Sequence, residues 1–106
     1  MAKFHPKRPA YLCGKVIFEF YNNEDEDFKN RILKSLTKEL RKEFNVSVTI
    51  SEENLVENPE RGTLVFSLTS VTLVQGKAIF EKILAYLDQH SPGRIIDDFC
   101  LAEEFP

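Results

Sequence analysis

The sequence predicts an α+β domain in which a four-stranded antiparallel sheet carries two helices on one face. Strand-like alternation of apolar and polar residues occurs four times, and helix-like periodicity occurs twice. The elements follow one another in the order β-α-β-β-α-β. Because crossovers are right-handed and both helices are amphipathic, this order is typical of a ferredoxin-like sandwich. The opposite face of such a sheet stays free of helices.

Alternation with a period of two residues indicates the strands. In "YLCGKVIFEFY", Val16, Phe18 and Phe20 share one face, which we expect to pack against the helices. The four predicted strands are 11–21, 46–51, 62–70 and 94–104, and the last alternates least regularly. The free face is predicted to carry Lys15, Ile17, Glu19, Tyr21, Ser47, Thr49, Thr63, Val65 and Ser67.

Apolar residues at helical spacing indicate the two helices. The first is predicted over 22–44 with Asn23 as its N-cap, and acidic residues near its start suit the helix dipole. Its predicted core positions are Phe28, Ile32, Leu33, Leu36, Leu40 and Phe44. The second helix is predicted from about Val74 to His90, with core positions Ile79, Phe80, Ile83, Leu84 and Leu87.

Length and composition indicate one globular domain over 10–106, preceded by a short basic arm over 1–9 that contains Lys3, Lys7 and Arg8. The net charge of −3 gives no general signal for nucleic acid, and we expect no DNA partner. No stretch approaches the ~20 apolar residues of a membrane span. The arm lacks the apolar region of a secretory signal, so we predict a cytoplasmic protein without a membrane partner.

Two cysteines, far apart in the sequence, give no CxxC motif and no zinc spacing, so we expect no metal and no cofactor. In a ferredoxin-like sheet the first and last strands are adjacent. Cys13 begins the first strand and Cys100 falls late in the last one. We therefore predict that they are neighbouring, unbonded thiols.

The stretch "RGTLVFSL" at 61–68 begins like the RNA-reading strand of an RNA-recognition domain, K/R-G-F/Y-G/A-F-V-x-F/Y. Its stacking positions hold Thr63, Val65 and Leu68, which offer no aromatic ring to a base. Phe66 alternates onto the helix side. We therefore predict a core strand that does not read RNA.

Catalytic chemistry is not predicted. His5 and His90 are the only histidines, and no nucleophile or metal ligand accompanies them in the sequence. Asp97 and Asp98 are adjacent, so their side chains point to opposite faces of a regular strand and cannot form an acid–base pair. No glycine-rich phosphate loop is present. We predict a protein that is not an enzyme.

Two surfaces remain as candidates for binding. The first helix carries a basic stripe that would contact phosphates of ribosomal RNA or the ribosome, or would simply be a solvated face: Arg31, Lys34, Lys38 and Arg41. The free face of the sheet would bind a partner or form a homodimer through its larger side chains, or would simply be a solvated face; those side chains are Ile17, Tyr21 and Val65.

Three segments resemble the small bacterial YlxP-like proteins, a family of unknown function. They are "GKVIFEF" at 14–20, "RILKSLTKELRKEFNVSVTISEENL" at 31–55 and "GTLVFS" at 62–67, and "FNVSV" is the most specific piece. The resemblance covers about residues 12–100 and implies a ferredoxin-like fold. The genes of that family often neighbour translation genes, so it also implies a link to ribosome assembly, and it implies no known reaction.

Overall fold

A computed structural model of the protein describes residues 7–52 and 58–106. Its elements are β1 (Ala10–Glu19), α1 (Glu26–Phe44), β2 (Ser47–Ile50), β3 (Arg61–Ser70), α2 (Leu73–His90) and β4 (Arg94–Glu104). The strands form one antiparallel sheet in the order β2-β3-β1-β4. The predicted ferredoxin-like βαββαβ sandwich is confirmed. In the described part of the chain, neither helix has the length and apolar character that a membrane crossing needs.

The start of α1 differs from the prediction. Asp25 is the N-cap, and its carboxylate accepts a hydrogen bond from the Asp27 amide at 2.9 Å. Asn23, the predicted cap, instead holds the preceding turn in place, since its Nδ2 donates to the Pro59 carbonyl at 2.8 Å. The helix ends at Asn45, which takes the left-handed conformation that favours asparagine among non-glycine residues.

The core lies between the sheet and the two helices. On α1 its buried residues are Lys29, Leu33, Leu36, Thr37 and Leu40, whereas Phe28 is 39% exposed. The prediction of Phe28 as a core residue was wrong because a four-residue step overshoots one helical turn by about 40°. Over the length of α1 this drift carries Phe28 off the buried side and brings Lys29 onto it.

Lys29 is fully buried, although lysine is rarely so. Its Nζ lies 3.0 Å from Glu26 Oε2 and donates to the Asn58 carbonyl at 3.0 Å. The ion pair lies within the first turn of α1, and the bond to Asn58 ties that turn to the chain just before β3. The sequence shows a lysine at a core position of the helix, but only the structure supplies its partners.

Thr63 corrects the description of the free face. It lies on that face opposite Ile17 but is only 1% exposed. Its side chain is short and lies beside the larger Ile17, and the Ser51 amide just after β2 donates to the Thr63 carbonyl. We call the helix-free side of the sheet the open face, and one corner of it is therefore closed.

The pairing of β1 with β4 contains one bulge. Ile17 is opposite Asp97 whereas Phe18 is opposite Ile95, so Ile96 is the additional residue. Farther along, Cys13 is opposite Leu101 and Cys100 is opposite Gly14.

The two cysteines are thus one register step apart on adjacent strands, and both are free thiols. They point to opposite faces of the sheet, because side chains alternate along each strand. The neighbouring position predicted from the strand order is confirmed, and a disulfide between them would require the strands to rotate.

Candidate interaction surfaces

The open face is the largest candidate surface. Lys15 lies near its centre and is paired with Val65 on β3 and Phe99 on β4. Lys15 Nζ is 5.9 Å from the Phe99 ring centroid, a distance that permits cation–π attraction. Leu101 follows on the same side of β4, and Phe99 and Leu101 are 49% and 74% exposed. Apolar side chains therefore reach solvent along the outermost strand.

The three residues predicted as anchors of this face occupy different places. Ile17 and Val65 lie on the open face and are half-buried among their neighbours. Tyr21 is 83% exposed, but it lies beyond the end of β1. There it lines a shallow groove of 370 Å³ with Glu19 and Arg94. The structure thus brings Ile17 and Val65 together on the sheet and places Tyr21 at its rim.

Phe99 and Leu101 were not among the sequence-predicted site residues. The sequence does contain the pattern that places them on one face, since Phe99, Leu101 and Glu103 occupy every second position of β4. The bulge at Ile96 obscures it. Because of the additional residue, Ile95 pairs with a core position while Asp97 pairs with an open-face position, so a single alternation does not describe the whole strand.

Charged groups at both ends of the open face are paired. At one end Glu19 lies 3.3 Å from both Arg61 and Arg94. At the other end the Tyr11 hydroxyl donates to the Glu103 carboxylate. This hydrogen bond, with a smaller contribution from burial, raises the pKa of Tyr11 above its ordinary value. These contacts hold the charged side chains at the two ends of the open face in place.

The basic stripe on α1 is the second candidate surface. Its four members are exposed: Arg31, Lys34, Lys38 and Arg41. Arg41 Nη2 also donates to the Val48 carbonyl on β2 at 2.8 Å, so part of that guanidinium is engaged within the protein. The other end of the stripe shares a hollow of 510 Å³ with Asp25 and Asp27. Carboxylates next to the stripe reduce its attraction for phosphate.

The titratable groups that the structure describes do not converge on a reaction centre. Asp97 is opposite Ile17 on the open face, and Asp98 lies on the helix side, as predicted for adjacent strand residues. The His90 ring stacks on Tyr86 with centroids 4.1 Å apart, and burial raises the pKa of Tyr86. His5 lies outside the described residues. Within residues 7–52 and 58–106, no group of three or more His, Cys, Asp or Glu side chains is placed to hold a metal ion.

The comparison with protein families matches residues 24–98, from the loop before α1 into β4. The matched family is described as "Protein of unknown function (DUF503)". The chain belongs to this family. The resemblance to a family without an assigned function is therefore confirmed at that level. The comparison with curated proteins found no match.

Solved structures give distant likenesses to this DUF503 chain. The protein SO0527 from Shewanella oneidensis is 15% identical, with 93% of this chain and 92% of that chain covered and a TM-score of 0.44. The de novo designed protein LFR1 1 with ferredoxin fold is 15% identical, with coverages of 92% and 85% and a TM-score of 0.42. The de novo designed protein Ferredog-Diesel is 14% identical, with coverages of 97% and 91% and a TM-score of 0.36. The strand order and register described above carry the assignment of the fold.

Proposed function

We propose that this DUF503 chain is a non-catalytic, cytoplasmic protein-interaction module that pairs with a second copy of itself through the open face. The observation that carries the proposal is the exposure of Phe99 and Leu101 on the same face of the sheet as the half-buried Ile17 and Val65. A contiguous apolar patch on a soluble domain marks a binding surface more often than a single exposed residue does.

The charges on the open face favour a second copy as the partner. Its strands carry three basic residues and three acidic ones, which are Lys15, Arg61 and Arg94 against Glu19, Asp97 and Glu103. The face is therefore neutral, although the chain as a whole has a net charge of −3. Two such faces can meet without net repulsion, and Lys15 of one copy can approach an acidic group of the other.

The size of the face suits a dimer of ordinary dimensions. β1 and β3 have 10 residues each and β4 has 11. At ~3.3 Å per residue and ~4.8 Å between strands, the sheet measures roughly 30 by 19 Å. In projection this is an area of about 600 Å². The accessible surface of protruding side chains adds to this area, so the total approaches the ~800 Å² per partner of a standard interface.

Sedimentation velocity over a wide concentration range tests the proposal. The parent protein is expected to dimerise, and Leu101→Glu is expected to remain monomeric, as is Val65→Glu. Val74→Glu is the matched control, because Val74 is an aliphatic residue that is 79% exposed on α2, away from the open face. A monomeric parent at high concentration, or equal dimerisation of the Leu101→Glu variant, would reject the proposal.

A ribosome- or RNA-associated role is the second candidate, and the exposure of all four residues of the basic stripe on α1 supports it. The resemblance to YlxP-like proteins points the same way. Because β3 presents no aromatic side chain on the open face, recognition would depend on the phosphate backbone and shape, with little sequence preference.

If the stripe makes four phosphate contacts, a plot of the logarithm of the binding constant against the logarithm of the salt concentration should have a slope of about −3 in a filter-binding assay with ribosomal RNA. Lys34→Glu combined with Lys38→Glu should weaken binding by a similar factor for unrelated RNAs. Undiminished RNA association of this double variant would exclude the stripe. The dimer proposal predicts little dependence of self-association on salt, so the two candidates are separable.

A further inference from the structure

The strand order leaves the outer edge of β4 without a neighbouring strand in the part of the chain that the structure describes. β4 is 11 residues long, and its inner edge pairs with β1 along the whole length. Between the bulge and the end of the strand, residues 97–104 run in regular register. The unpaired backbone N–H and C=O groups of such an edge can accept another extended segment.

A groove runs beside this edge on the helix side, between α2 and β4. It consists of two hollows of 330 and 450 Å³ that share Glu81 and Asp98. Apolar side chains contribute to both, and they are Phe80, Leu84, Ala85, Ile95 and Ala102. Cys100 lies in the larger hollow, and burial raises the pKa of its thiol. A helix next to a free edge strand, with an apolar groove between them, is a geometry that receives an added strand together with its alternate side chains.

The charges around the groove select its occupant. Glu81 and Asp88 from α2 face Asp98 from β4, and Lys77 is the single basic residue among the groove-lining side chains. Along the edge itself, acidic pairs at 97–98 and 103–104 flank the apolar window at 99–102. The distance between these pairs is about 20 Å for six residues at ~3.4 Å each.

The same charges disfavour edge-to-edge pairing with a second copy. In an antiparallel pair centred on Cys100, Asp97 of one copy would face Glu103 of the other, and like charges directly opposite each other are destabilising. Charged residues on an edge strand protect it against self-association in this way. A basic partner meets no such repulsion.

We propose that the outer edge of β4 and the adjoining α2–β4 groove bind an extended basic peptide segment of a partner protein, which adds a fifth strand to the sheet. Its central apolar residues cover the window at 99–102, and basic residues at both ends contact the two acidic pairs. Alternate side chains enter the groove toward Glu81 and Asp98. This surface consists of the backbone edge of β4 and its helix side and shares only β4 side chains such as Phe99 and Leu101 with the open face, so the proposal does not depend on dimerisation.

The test uses the full chain and a capped, fluorescently labelled octapeptide of sequence KRVTVTRK. Fluorescence anisotropy is expected to show saturable binding, and NMR is expected to show amide shifts concentrated in 97–104. Two control peptides separate strand addition from charge attraction. The acidic peptide EDVTVTDE reverses the charges, and a KRVTVTRK peptide with N-methyl groups on alternate backbone nitrogens cannot complete the hydrogen-bond ladder. Neither control should bind.

Protein variants place the peptide in the groove. Glu81→Lys combined with Asp98→Lys should weaken peptide binding about tenfold, because both substitutions replace an acidic surface group that attracts the basic peptide with a basic one. Glu43→Lys, which reverses an exposed charge on α1, is the matched control and should leave binding unchanged within about twofold. In a Cys13→Ser variant, bound peptide should slow the alkylation of Cys100 by N-ethylmaleimide.

Three results would overturn the proposal. The first is no binding of KRVTVTRK at millimolar peptide, and the second is equal binding of the N-methylated peptide. The third is amide shifts centred on β2, β3 or α1 instead of β4. A Val65→Glu variant that is monomeric but still binds the peptide would show that this site and the dimer surface act independently, in support of the proposal, because Val65 lies on β3 and outside the peptide site.

Discussion

Gly14 offers the sharpest test of the packing between the sheet and α2. It lies in β1, and a Cβ atom built there would be 2.3 Å from Phe66 Cζ and 2.8 Å from Phe80 Cε2. Both rings are buried, at 1% and 4% exposure, with centroids 5.7 Å apart. Neither ring can withdraw without displacing its other neighbours, because protein interiors are close-packed.

Two opposing effects decide the stability of Gly14→Ala. The substitution restricts the unfolded chain, which stabilises by about 0.4–1 kcal/mol where the site accepts the side chain. Overpacking of a dense core costs about 1–3 kcal/mol, occasionally more. Since contacts below 3.0 Å involve two buried rings, overpacking should win, and we expect a net loss of about 1–2 kcal/mol in the free energy of unfolding. For a domain of this size, that lowers Tm by about 4–16 °C.

Urea unfolding followed by circular dichroism measures this loss. Gly76→Ala is the matched control, because the nearest atom to its new Cβ is not in a buried ring but is the Ser70 Oγ, which donates to the Thr72 carbonyl, and alanine favours the helix. It should change stability by less than about 1 kcal/mol. Phe66→Leu should partly relieve Gly14→Ala, giving a double variant more stable than the sum of the two losses. A Gly14→Ala protein as stable as the parent would refute the placement of the two rings.

Three further predictions concern the ionisable groups. Glu26→Ala should lower the free energy of unfolding by about 1–3 kcal/mol, because it removes the carboxylate that lies 3.0 Å from Nζ of the fully buried Lys29. Lys29→Met should cost less, since the Glu26 side chain is partly exposed at the positive end of α1, and the reverse order in chemical denaturation would contradict this account. The Tyr11 pKa is raised above 10.0 in the folded protein. The stability that its hydrogen bond to Glu103 contributes is therefore present below pH 10.0 and is lost as the pH rises through the folded-state pKa. A ¹³C NMR titration should show that midpoint, and Glu103→Gln should return it toward 10.0, whereas an unchanged midpoint would exclude Glu103 as the cause. Partial desolvation raises the pKa of Cys100, so a variant without the other cysteine should be alkylated at pH 8 more slowly when folded than in urea, and equal rates would count against this desolvation.

The sequence by itself determined the order of the elements and the faces of the regular strands. Alternation with a period of two is imposed by the pleat, so Phe66 had to share a face with Leu64 and point away from Val65. This local geometry sufficed to predict that "RGTLVFSL" is a core strand, and Phe66 is indeed 1% exposed. The element order then fixed the neighbouring position of β1 and β4, because few topologies satisfy it.

The tertiary structure alone decided which surfaces are available. The buried Lys29 donates to the carbonyl of Asn58, which is 29 residues away in sequence, and Thr63 is buried although it lies on the open face. The bulge at Ile96 changes which side chains of β4 face outward, and the groove beside α2 exists because that helix leaves part of β4 uncovered. These features arise from contacts between residues distant in sequence, and local periodicity carries information only about residues within one element.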